Sequence, residues 1–184
     1  NSSSYSTLDE ALAAAKQANG STLKLLADVT TTATITVSEG TFTLNLNGKS
    51  LTCTGSSAGY ALTVSGGTLT IRDSAGGGMV KGPDRGVHVT GGTVKISGGT
   101  FVGGQSNGLL VEQGCTVSLS GGTFYTENTS EPHSIWVISS GRAIDLLESG
   151  YRYEKEDGSQ SEYSASGNGV VGKTTVHAGE GGQI

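Results

Sequence analysis

The chain has 184 residues, enough for one domain, with 34% hydrophobic residues and a net charge of −5. Its scattered Lys and Arg make no basic stripe, which argues against nucleic acid or anionic lipid as a partner. No apolar run approaches the ~18 residues of a membrane span, so membrane insertion is not expected.

The opening Asn1-Ser2-Ser3-Ser4 reads as a mature product or as a domain excised from a longer, multidomain chain. Thr7-Leu8-Asp9-Glu10 is a capping box, with Glu10 three residues after the candidate N-cap. Leu8, Ala11, Leu12 and Ala15 then share one helical face, and Asn19-Gly20 supplies a stop. A helix there is expected to cover the open end of the strands that follow, because an uncovered end exposes both core and unpaired backbone. Leu23–Leu26, Ala33–Val37 and Phe42–Gly48 are short β-branched or alternating runs punctuated by Gly, Asn or Ser, as strands are. Asn45-Leu46-Asn47-Gly48-Lys49 is either a hairpin turn or a bend between two strands of one coil.

From Tyr60 onward one phrase repeats. Ser65-Gly66-Gly67-Thr68-Leu69-Thr70-Ile71 is followed by Thr90-Gly91-Gly92-Thr93-Val94-Lys95-Ile96. Ser97-Gly98-Gly99-Thr100-Phe101 and Ser120-Gly121-Gly122-Thr123-Phe124 are shorter versions, whose Phe101 and Phe124 stand 23 residues apart. Such a period signals stacked units that bury apolar surface only against each other. Aligned by this phrase, Ala61–Val64, Gly86–Val89, Gly108–Val111 and Ser134–Val137 form the first strand of successive turns. Leu69/Ile71, Val94/Ile96, Val117/Leu119 and Ile144/Leu146 point inward on the second. Val80, Phe101, Phe124 and Tyr151 line up on the third. Period-2 alternation leaves Thr70, Lys95, Ser118 and Asp145 outside.

After Tyr151 the composition becomes polar. Arg152–Ser159 carries an Asp157-Gly158 turn, a hairpin signal, and Val170-Val171 with Thr174–Val176 make a last strand. Gly179–Ile184 reads as a tail or linker. The expected organisation is a capping helix in 1–20, stacked turns in 21–151 and a C-terminal hairpin, cap and linker in 152–184. Cys53 and Cys115 have no metal-ligand or CxxC spacing; they read as separate thiols, with a single disulfide as the alternative.

The pattern from Gly86 to Phe101 resembles right-handed parallel β-helix domains of the pectin-lyase-like superfamily, which abound in surface proteins of Gram-positive bacteria. Leu8-Asp9-Glu10-Ala11, Leu25-Leu26-Ala27-Asp28-Val29, Leu44–Lys49 and Leu146–Tyr151 are similar to the openings and closings of those domains. The resemblance covers about Leu8 to Asp157 and implies an all-β solenoid of about six rungs. It also implies an extracellular or bacterial cell-surface location. It does not fix function, because the superfamily mixes lyases, hydrolases, adhesins and stalks.

Catalysis in such enzymes needs carboxylates on adjacent turns, either to bind Ca²⁺ or to share acid–base work. The outward columns hold no such pair: Asp73 aligns with Gly98, Gly121 and Glu148, which separates its two acids by three turns. No catalytic residue, metal ligand or cofactor is therefore assigned. Asp84-Arg85 with Lys81 and His88, Arg142 with Asp145 or Glu148, and Glu154, Glu156 and Asp157 with Lys155 read as solvated surface charge. His133 and His177 lack ligand partners at useful spacing. Asn128-Thr129-Ser130 matches a glycosylation sequon.

One outward column stands out. It runs Thr63, His88, Leu110, Trp136 on the first strand, and a second runs Val102, Tyr125, Arg152. Exposed aromatics and an exposed leucine on a β-face stack on sugar rings or anchor a protein; the competing expectation is that the 126–133 loop or the C-terminal hairpin buries Trp136. Trp136, His88, Leu110 and Tyr125 are thus the candidate ligand-binding residues. The expected function is a non-catalytic spacer or adhesin-like module of a bacterial surface or secreted protein, with a glycan or host surface protein as partner. A polysaccharide lyase or glycoside hydrolase, and a purely structural stalk, are the alternatives.

Overall fold

The computed structural model describes residues 3–56 and 59–179. Thr7 caps α1 (Leu8–Gln17) in a complete capping box, its hydroxyl accepting from the Glu10 amide while the Glu10 carboxylate accepts from the Thr7 amide. Leu12 and Ala15 are buried, and the helix packs on β1 (Ser21–Lys24) and β4 (Thr41–Asn45). It covers the β1–β4 side of the N-terminal end, as its apolar face requires.

The rest is β-solenoid of about five turns. β2 (Val29–Thr31), β3 (Ile35–Val37) and β5 (Ser50–Cys53) complete the opening turns. The long β6 (Tyr60–Arg72) and β8 (Arg85–Ile96) each supply two sides of a turn, and β7 (Met79–Gly82) and β9 (Thr100–Gly103) the third. β10 (Leu109–Val111), β11 (Thr116–Leu119) and β12 (Thr123–Thr126) make the next turn, and β13 (His133–Val137) starts another. One sheet runs β1-β4-β6-β8-β10-β13, with β3 beside β6 and β11 beside β8; the other runs β2-β5-β7-β9-β12. All these pairs are parallel.

Stacking in register builds the core. Leu62, Val87, Leu109 and Ile135 are consecutive partners, as are Leu44, Ile71, Ile96 and Leu119, and Leu51, Val80, Phe101 and Phe124. All are buried, and each such side chain contributes about 1.5–3 kcal/mol on leaving water. Gly66-Gly67 and Gly91-Gly92 lie at the bend between the first and second sides, whereas Gly98-Gly99 and Gly121-Gly122 lie between the second and third. Gly67 and Gly92 have φ of 72° and 74°, a left-handed conformation that a Cβ resists. The Asn47-Gly48 segment is a bend, not a hairpin: both residues have positive φ, and it passes the chain from β4 in one sheet to β5 in the other.

Three details differ from the sequence alignment. The stack has about five turns, not six, because β1 and β2 form only part of a turn and the last turn is left unfinished. Ile144 and Leu146 do not continue the second strand; Ala143–Leu146 is a 3-10 helix, and Leu147 bridges to Leu119. Tyr151 does not stack on Phe124. Two strands from the C-terminal region reverse direction: β15 (Gly169–Val171) pairs antiparallel with β13, and β16 (Thr174–Ala178) pairs antiparallel with β12. β14 (Tyr151–Glu154) then lies outside β16, where Tyr151 faces Ala178. Tyr153 is the fully buried residue, its hydroxyl donating to the Ala143 carbonyl at 2.7 Å.

The expected turn at Asp157-Gly158 is present: the Lys155 amide donates to the Ser159 carbonyl, and Glu154 bridges antiparallel to Gln160. The region after Thr174 is one strand, with Val170-Val171 in a separate one. Of the expected tail, 180–184 lie outside the described residues. Cys53 and Cys115 are free thiols, the first buried.

Candidate functional site

The outward face of the first strand positions the candidate residues as the alternation demands. Thr63, His88, Leu110 and Trp136 are successive partners in register across β6, β8, β10 and β13. The column is not bare. Leu110 is only 5% exposed, which corrects the expectation of an exposed leucine; it stands in register between His88 and Trp136 on the neighbouring turns. His88 keeps 12% of its side chain exposed and meets the Glu112 carboxylate at 2.9 Å.

Trp136 is half-buried. Its indole meets the His133 ring edge-on at a centroid distance of 4.5 Å. Gly169 of β15 faces both rings, and its missing side chain leaves room for them: an added Cβ would sit 2.6 Å from the indole Cε3 and 2.7 Å from the His133 Cδ2. The C-terminal cap therefore covers part of the ring and leaves part open, between the two sequence expectations.

Three contributors escaped the sequence reading. Tyr60 stacks on His88 at 4.7 Å, tilted by 53°, and the Arg85 guanidinium lies 5.8 Å from the Tyr60 ring centre. Glu112 and Glu131 each hold an imidazole, Glu131 meeting His133 Nδ1 at 2.8 Å. The repeat alignment places Tyr60 one residue before Ala61 at the head of the strand, a signal that was available. The two glutamates sit in loops outside the repeat, where alternation says nothing. The result is a strip of Tyr60, His88, Leu110, Trp136 and His133, edged by Arg85, Glu112 and Glu131. Ring faces with flanking acceptors and donors suit a hydroxyl-rich ligand.

Tyr125 is elsewhere. It lies on the second sheet, paired with Val102, half-buried, with the Lys173 ammonium 5.6 Å from its ring centre. Val102 is fully buried, and Arg152 pairs with His177 in β16, not with Tyr125. Of the second expected column, Val102 and Tyr125 do align, but Arg152 does not continue it and Val102 is not exposed. A groove of about 540 Å³ lies on this side, lined in part by Thr52, Lys81, Gln105 and Glu127, with Lys81 and Glu127 joined at 2.6 Å.

The remaining charges are dispersed. Asp84 pairs with Arg85, whereas Lys81 and His88 turn to other glutamates, so these four do not make one site. Arg142 and Asp145 pair at 2.8 Å on the surface, and the guanidinium holds the Asp145 carboxyl below its usual range. Asp73 spends both oxygens on backbone amides, accepting from Gly48 at 2.7 Å and from Gly78 at 2.6 Å. Glu148 accepts from the Ser118 hydroxyl. Among the described residues no group of three His, Cys, Asp or Glu is placed to hold a metal, and no helix is long and apolar enough to cross a membrane.

The fold defines the chain as a parallel β-solenoid. No protein-family model matches it, and no curated protein or solved structure gives a match.

Proposed function

We propose that the chain is a non-catalytic β-solenoid module of a bacterial cell-surface or secreted protein, related to the pectin-lyase-like superfamily. It acts as a rigid spacer with an adhesin-like capacity to bind glycan or a host protein. The observation that carries this reading is the in-register column from Thr63 to Trp136 with Tyr60 and His133 at its ends. Four stacked turns hold these rings on one face without a hinge, which lowers the ordering cost of binding an extended sugar chain. The engagement of both Asp73 oxygens by backbone amides also favours a structural role for the acid nearest the repeat.

The test is a glycan array probed with the wild-type chain and with Trp136→Ala, beside a product assay on acidic polysaccharides with and without calcium. Binding that falls with Trp136→Ala supports the proposal. Calcium-dependent release of unsaturated product would replace it with a lyase. A blank array with no difference between the two proteins would leave a plain stalk.

A further inference from the structure

Among the described residues, the N-terminal end of the stack has an edge with no strand on it. β3 pairs with β6 on one side only, because the first turn has no strand at the position beneath it. The Thr31 hydroxyl satisfies the Ala33 backbone in the approach to the strand, but among the described residues the backbone of Ile35–Val37 itself has no hydrogen-bond partner other than β6. α1 does not fill the place. It packs on β1 and β4 and comes close to the chain at Gly40, where an added Cβ would lie 2.9 Å from the Lys16 Cα. Between helix and strand edge a cleft of about 480 Å³ remains, lined in part by Asp9, Ala13, Lys16, Thr34, Thr36 and Glu39. That volume lies within the ~300–1,000 Å³ of ligand clefts.

We propose that this cleft receives an extended cationic peptide segment of a partner protein, which adds a strand to the β3 edge. Unpaired strand amides and carbonyls are satisfied by another strand and poorly by side chains, so an edge beside a cleft is built for this mode of recognition. The charge selects the partner. Asp9 and Glu39 are exposed and neither is in an ion pair among the described residues, against one ammonium from Lys16. Two carboxylates to one ammonium favour lysine or arginine at the ends of the segment. This site is at the opposite end of the solenoid from Trp136 and does not depend on glycan binding.

The test uses the whole chain and a fluorescein-labelled hexapeptide of alternating threonine and valine with a lysine at each end, read by fluorescence anisotropy. Saturable binding is expected. It should weaken at least about tenfold with Ala13→Phe, which fills the cleft from an exposed helix position, and about fivefold with Glu39→Lys. N-methylation of alternate peptide amides should abolish it, and Trp136→Ala should leave it unchanged. No anisotropy change up to millimolar peptide would overturn the proposal, as would equal affinity in both variants or equal binding of a glutamate-ended peptide. A dimer of the chain that dissociates with Ala13→Phe would overturn it too, by making the occupant a second copy.

Discussion

Phe124 lies directly over Phe101, with ring centroids 5.0 Å apart and planes 15° from parallel. The two are register partners in β9 and β12, and both are fully buried. Each ring is thus a floor for the next turn. Phe124→Ala should cost about 3–5 kcal/mol, the transfer of the ring plus the cavity it leaves. Phe124→Leu should cost less, since it keeps most of the volume. Urea unfolding of the three proteins checks the order; a loss below 1 kcal/mol for alanine would mean that the turns do not share one core.

Gly92→Ala should destabilise more than Gly114→Ala. Both glycines have positive φ, 74° and 81°, so both substitutions carry about 1–2 kcal/mol of left-handed strain. At Gly92 a Cβ would also lie 2.6 Å from the Gly67 carbonyl oxygen of the turn below, whereas nothing lies within 4 Å at Gly114. The difference between the two melting curves isolates the cost of pushing adjacent turns apart. Equal losses would show that the Gly92 backbone moves freely.

The columns of Leu62 to Ile135 and Val80 to Phe124 were legible because two periods agree: alternation within a strand and the spacing of the Gly-Gly-Thr phrase. Where either lapses, the reading fails. Tyr151 was placed on the third column, but β16 comes from residues later in the chain and inserts between β12 and β14, an event that no local pattern announces. Leu110 stands in register with His88, as the alignment expects. It is nonetheless buried, and alternation within a strand does not encode what covers an outward face. Glu112 and Glu131 reach their histidines from loops, so the edges of the strip were invisible in the repeat.

Raising the pH past 10 should unfold the C-terminal cap. Burial pushes the Tyr153 phenol well above its usual value, with Tyr163 adding to the effect, and burial raises Tyr163 as well. A phenol whose pKa is raised in the folded state contributes stability that is complete below the unfolded value of ~10 and is lost as the pH climbs beyond it. Tyrosinate absorbance should therefore show Tyr153 and Tyr163 ionising together with loss of the β-sheet circular dichroism. Tyr153→Phe should remove part of this alkaline sensitivity. It should also lose about 1 kcal/mol at neutral pH, because the Ala143 carbonyl gives up its bond. A phenol that titrates at 10 with the sheet intact would place Tyr153 in contact with water.

Gly169→Val should move the indole. Trp136 is the only tryptophan, so its emission reports this contact alone. Gly169 faces Trp136 across the β13–β15 pair, and a Cβ there would come within 2.6 Å of the indole Cε3 and 2.7 Å of the His133 ring. Both rings cannot keep their places: the indole must swing toward solvent, or β15 must lift from β13. The first outcome shifts the emission maximum to the red at little cost in stability. The second costs about 1–3 kcal/mol, as overpacking does, and loosens the cap that closes the core over Ile135. Because the ring that moves is the one assigned to ligand contact, the same variant should also alter glycan binding in proportion to the emission shift. An unchanged emission maximum with unchanged stability would mean that β15 does not lie against Trp136, and the partial covering of the strip by the cap would have to be abandoned.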